Sequence, residues 1–102
     1  MTEQKIGQKL TEPGPVSPKY LWHAGELVEW DQATVHVSML GWTAISAVFE
    51  GIRAYKTPQG TALFRLDDHI QRLYNTAHIL EMDIPYEFEV IRQACIDAIR
   101  EN

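Results

Sequence analysis

Cysteine is almost missing from this chain: Cys95 is the single one among 102 residues. An internal disulfide is therefore excluded, and so is any cysteine-built metal cage. A lone thiol fits a reducing compartment, and the cytoplasm is the expected location. Basic charge is also scarce. Nine Lys and Arg stand against fourteen Asp and Glu, a net charge of −5, whereas a nucleic-acid partner requires clustered cations. No apolar run approaches the roughly 20 residues that span a bilayer, so no membrane association is expected. The opening residues are polar, with no signal-peptide pattern. Internal repeats and low-complexity runs are absent. His23, His36, His69 and His78 have no zinc-site spacing, so no metal is expected and each reads as a polar surface or capping residue. Lysine occurs only as Lys5, Lys9, Lys19 and Lys56.

The composition that remains is that of a globular protein, 45% hydrophobic and 23% charged, and the length suits one small domain. Residues 1–19 have no periodicity and contain Pro13, Gly14, Pro15, Ser17 and Pro18, so they read as a flexible or extended arm. Residues 20–24 and 26–30 flank Gly25 and predict two short strands around a tight turn. Trp22 and Trp30 are expected to pack on that sheet. Residues 34–37 read as a further extended piece, and residues 38–47 are ambiguous between helical turn and loop.

The period then changes. Ile70, Leu73, Tyr74, Ala77 and Leu80 recur at helical spacings of three and four. Asp67 or Asp68 could cap that helix. Pro85 ends it and suits the first turn of a second helix, whose stripe is Phe88, Ile91, Cys95 and Ala98 with Ile99. Cys95 then reads as inert core. Two amphipathic helices need an apolar partner, and the sheet's inner face is the one available. The expected fold is α+β, an antiparallel sheet of short strands packed against two amphipathic helices.

Between these parts lies Val48-Phe49-Glu50-Gly51-Ile52-Arg53-Ala54-Tyr55. A turn over residues 56–60 and a second apolar run over 61–66 follow, so the pattern predicts a hairpin. Gly51 would interrupt its first strand, as glycine does where a ligand or another backbone comes close. Glu50 and Arg53 flank it as opposite charges.

This stretch resembles the "VFEGIRAY" segment of branched-chain amino acid aminotransferases, members of the class IV (fold type IV) family that use pyridoxal phosphate (PLP). Further pieces match in order: Trp22-His23-Ala24-Gly25-Glu26-Leu27-Val28 with Trp30, then Val35-His36-Val37, then Phe64-Arg65-Leu66 with His69, Gln71, Arg72 and Leu73. The resemblance implies that residues 20–102 form the small N-terminal domain of such an enzyme. It implies amino acid and 2-oxo acid substrates, 2-oxoglutarate among them, and a homo-oligomer. Arg72 aligns with the arginine that binds the cofactor phosphate, a role suited to a permanently charged bidentate fork. The helical period alone puts Arg72 off the buried stripe, where a surface pair with Asp68 is the other reading. Phe49 and Gly51 align with residues lining the pocket for the substrate side chain, while plain core packing is the alternative for Phe49. Arg53 could hold a substrate carboxylate or pair across strands with an acid. Tyr55 could line the site or pack in its strand.

The sequence departs from the family at Ala44 and Ile45, where an aromatic residue and glycine are usual. A class IV relative acting on another amine, a D-amino acid or an aminochorismate therefore stays open. The covalent Schiff-base lysine of the family has no counterpart here, since three lysines lie in the arm and one in a turn. That lysine is expected in a larger domain absent from this chain, and the isolated chain is expected to be inactive. A stand-alone dimerisation or binding module is the alternative.

Overall fold

A computed structural model describes residues 18–41 and 47–102. Most of the expected arm, and Trp42, Thr43, Ala44, Ile45 and Ser46, lie outside the described residues. The fold is α+β; among the described residues it has two antiparallel two-stranded sheets and the two long α-helices that follow them. The chain divides into two compact units: residues up to Thr34 with Ala98–Asn102, and Val35–Asp97.

The first unit holds β1 (Tyr20–His23) and β2 (Glu26–Glu29). Tyr20 pairs with Glu29 and His23 with Glu26, so the connection is only Ala24-Gly25. Both turn residues have positive φ, 52° and 98°, which is what a two-residue hairpin needs to match strand twist. Trp22 and Trp30 are half-buried here. The Asn102 side chain extends the ladder: its Oδ1 accepts from the Tyr20 N–H at 2.9 Å and its Nδ2 donates to the Tyr20 carbonyl at 2.9 Å.

The expected extended piece at residues 34–37 keeps extended backbone at His36, φ −68° and ψ 142°, but forms no ladder among the described residues, and a 3₁₀ turn, Val37–Met39, begins at its last residue. It forms because His36 Nδ1 accepts from the Ser38 N–H, a local cap that competes with a strand. β3 (Ala54–Thr57) and β4 (Gly60–Leu63) form the expected hairpin around Pro58 and Gln59, with Gly60 at φ 116°. Its first strand begins at Ala54, six residues later than the sequence suggested, so Gly51 precedes the ladder rather than interrupting it. Phe64 adds one further rung, its N–H donating to the Arg53 carbonyl at 2.8 Å.

The helix α1 (Leu66–Ile79) buries Leu66, Ile70 and Ala77, with Leu73 and Tyr74 half-buried on the same stripe. Leu80 falls past its end and is exposed. Neither Asp67 nor Asp68 is the cap. Arg65 occupies that position in the left-handed region, φ 50° and ψ 45°, without a side-chain cap bond. The two aspartates instead sit in the first turn, favourable for the helix dipole, and pair with arginines: Asp68 with Arg65 at 2.7 Å and Asp67 with Arg92 at 2.8 Å. The helix ends in a Schellman motif, Met82 N–H to the Ala77 carbonyl and Glu81 N–H to that of His78. Glu81 holds the left-handed position, φ 56°, that glycine usually takes.

The helix α2 (Phe88–Glu101) starts three residues after Pro85, not on it. Ala94 is its buried residue, and Phe88, Ile91, Cys95 and Ala98 are half-buried. Burial pushes the Cys95 thiol pKa up, in keeping with an inert thiol. Within the second unit α1 meets α2 through the Arg92–Asp67 pair and through Tyr74, whose hydroxyl donates to the Tyr86 carbonyl and whose ring lies 6.2 Å from Phe88.

Candidate functional site

The segment over residues 48–52 has no ladder bonds of its own among the described residues. A side chain fastens it. Glu50 reaches α1 and accepts three hydrogen bonds: from Arg72 Nε at 2.6 Å, from Arg72 Nη2 at 2.7 Å and from His69 Nδ1 at 2.8 Å. His69 and Arg72 are three residues apart on one helix and so share a face. The Glu50 side chain is only 8% exposed, while that of Arg72 is 67% exposed. The carboxylate therefore lies beneath a guanidinium that faces outward.

Hydrogen bonds from Arg72 and then from His69 hold the Glu50 carboxyl down at about 2, well below its ordinary 4.5. The same contact raises the Arg72 pKa. A depressed carboxylate contributes its stability fully above the unfolded pKa and loses it as pH falls through the folded one. The stabilisation from Glu50 is thus complete above pH 4.5 and gone near pH 2. Urea midpoints of the native chain should fall across that window. Those of Glu50→Gln should start lower and fall less, so that the two curves converge near pH 2.

Beside Arg72 is an open concavity of about 330 Å³ lined by Phe64, Arg65, Asp68, His69 and Arg72. Arg72, the expected phosphate ligand, lies in its wall. The alternative pairing with Asp68 is not formed, because Asp68 is taken by Arg65. The structure corrects the surface or capping reading of His69: it is largely covered and bonded to Glu50. Phe49 is 88% exposed, so core packing does not account for it. Gly51 is exposed, and a Cβ there would meet no atom within 4 Å. Arg53 is exposed and makes no ion pair among the described residues. Tyr55 is 47% exposed and packs edge-on against Phe64, ring centroids 6.2 Å apart. Tyr55 thus adjoins the concavity through Phe64, whereas Phe49, Gly51 and Arg53 are not among its lining residues.

The cations suit a phosphate ester: the Arg72 guanidinium lies in the wall with that of Arg65, which is paired with Asp68 on the same wall. They do not suit the covalent end of PLP. Lys19 and Lys56 are both exposed, and an anchoring amine has to be desolvated. Among the described residues no three metal-ligating side chains gather and no helix is long and apolar enough to cross a membrane.

Residues 47–102 match the amino-transferase class IV family. The branched-chain-amino-acid aminotransferase of Pseudomonas aeruginosa is 51% identical over 82 residues, which are 80% of this chain and 27% of that enzyme. The crystal structure of the Escherichia coli branched-chain enzyme superposes with a TM-score of 0.77 at 37% identity, covering 85% of this chain and 28% of that one. The PLP form of the Thermobaculum terrenum enzyme gives a TM-score of 0.75 at 40% identity, covering 82% and 28%. The chain therefore spans a little over a quarter of the length of the relatives it matches.

Proposed function

The chain belongs to the class IV amino-transferase family, and from that premise we propose that it supplies the phosphate anchor and part of the substrate pocket of a PLP-dependent aminotransferase. The reaction moves an amino group between a branched-chain or other hydrophobic amino acid and 2-oxoglutarate. The observation that carries this reading is Arg72: its guanidinium is held from below by Glu50 and lines a concavity of about 330 Å³.

When bound, PLP supplies the electron sink for the transfer. The part of this chain is binding and orientation. Arg72 takes the phosphate as a bidentate, permanently charged donor. Phe49 provides an apolar wall that sheds water when a branched side chain covers it, and Gly51 leaves room beside it. Arg53 meets a substrate carboxylate, and Tyr55 with Phe64 closes the aromatic side. The covalent lysine belongs to the portion of the relatives' length that this chain does not match. A homo-oligomer would cover the apolar side chains that stand exposed, Phe49, Ile79 and Val37 foremost.

Pyridoxamine 5′-phosphate tests the phosphate anchor without reactive aldehyde chemistry at surface lysines. Its fluorescence should report saturable binding to the chain, while pyridoxamine lacking the phosphate should not bind. Equal behaviour of the two compounds would remove the phosphate role.

A further inference from the structure

The carboxylate of Glu50 has a position that charge balance alone does not explain. A carboxylate that only neutralised Arg72 could stand in solvent, as Asp68 does beside Arg65 with both side chains about two-thirds exposed, 65% and 66%. Glu50 is instead 8% exposed, and both of its oxygens are used. Covering a carboxylate is costly unless its acceptor sites are filled, and here they are filled by three donors from one helix face.

The geometry of those bonds decides which part of Arg72 remains available. Glu50 takes the Nε–Nη2 edge. The N–H groups of Nη1 and the outer N–H of Nη2 are left for a ligand approaching end-on. A carboxylate has no hydrogen to give, so His69 must donate from Nδ1. One largely covered carboxylate thus holds the plane of the guanidinium and the Nδ1–H of the imidazole. It also carries the side-chain bonds that tie residues 48–52 to α1, because no other hydrogen bond links them among the described residues. Its chain neighbours are Phe49 and Gly51, the proposed pocket wall.

We propose that Glu50 is a positioning residue: it clamps Arg72 and His69 so that the end-on donors of the guanidinium are set for a phosphate ester, and it locks the Phe49–Gly51 wall to that anchor. This inference rests on the phosphate-anchor reading of Arg72. Its physical basis is preorganisation, since a fork already held in place loses less freedom when the anion binds.

The test uses the ¹⁵N-labelled full chain titrated with inorganic phosphate, with the Arg Nε–H resonances as readout, in native, Glu50→Gln, Arg72→Lys and doubly substituted forms. The Arg72 Nε–H should exchange about tenfold more slowly than that of Arg53, as expected of a charge-assisted bond, and phosphate should move the Arg72 signals to saturation. Glu50→Gln should abolish that protection and raise the phosphate Kd about tenfold, whereas in the Arg72→Lys background it should change Kd less than about twofold. An equal effect in both backgrounds, or none in either, overturns the positioning role. Failure of the native chain to respond to phosphate overturns the phosphate-anchor reading itself, so the two failures are distinct. Should Glu50→Gln not fold, the native exchange rates decide: Arg72 Nε–H exchanging as fast as Arg53 Nε–H overturns the clamp, and slower exchange upholds it.

Discussion

Arg72→Ala should weaken pyridoxamine 5′-phosphate binding by about 10- to 100-fold, the range that charge-assisted hydrogen bonds to one side chain carry. Arg72 lies off the apolar stripe of its helix and so must face something polar. In the structure that partner is Glu50, far along the chain rather than one turn away. Two N–H groups of the fork are thereby occupied, and the side chain still stands 67% exposed at the concavity. Alanine removes every donor at once. Arg72→Lys keeps the charge but not the fork, because an ammonium cannot meet Glu50 through two parallel bonds while offering a planar end to the ligand. Its loss should be intermediate, about tenfold. Fluorescence titration measures both variants, and equal affinities of native chain and Arg72→Ala would contradict the role. The expected loss is specific to the phosphate, so weak background binding of unphosphorylated pyridoxamine should not change.

Ile70→Ala should have the largest effect on stability, about 2–5 kcal/mol. Ile70 is the most enclosed large side chain among the described residues, 1% exposed. It lies between Leu66 and Ala77 on the buried face of α1, the helix that also carries His69 and Arg72. Removing its outer carbons loses their transfer free energy and leaves a cavity that close-packed neighbours fill only in part. Domains of this size have about 5–15 kcal/mol in total, so the variant should sit near the edge of folding and lose phosphate binding along with its helix. Ile79→Ala is the control. That side chain is 77% exposed, and its substitution should stay within about 0.5 kcal/mol. Urea denaturation followed by far-UV circular dichroism separates the two. Comparable midpoints would mean that α1 is not held by this face.

Most of this architecture could be read from residue patterns because its elements obey local rules. The Ala24-Gly25 hairpin, the Pro58-Gln59 turn and the stripe of α1 each depend on neighbours within a few residues. Three features could not be read in that way. The start of α1 carries Arg65 in a left-handed conformation, where an aspartate or serine would have been the recognisable signal. Its end uses Glu81 where a glycine would have marked the stop, so Pro85 drew the boundary too late. The Glu50 contact spans 19 residues to His69 and 22 to Arg72, and sequence spacing has no rule for such a pair. In the sequence Glu50 is simply one of the two opposite charges that flank Gly51. The available hint was that His69 and Arg72, two basic residues three apart on one helix face, had no acid placed to satisfy both.

The phosphate role proposed for Arg72 comes from the family resemblance, not from its helical period. Phe49 became informative only when its exposure was known, since an aromatic residue inside an apolar run reads equally as core. The same holds for Gly51: its surroundings in this chain leave space for a side chain, so any demand for glycine there comes from what binds beside it.

The most direct measurement is transamination by a chimera in which the 82 matched residues of this chain replace their counterparts in the Pseudomonas aeruginosa enzyme. L-leucine, D-alanine and an aromatic amine serve as donors and 2-oxoglutarate as acceptor. The expected result is activity with L-leucine within about tenfold of the parent enzyme's, a difference of about 1.4 kcal/mol in barrier, falling about 100-fold further when Arg72 becomes alanine. A folded chimera that transfers no amino group, or one indifferent to the loss of Arg72, would contradict the assignment.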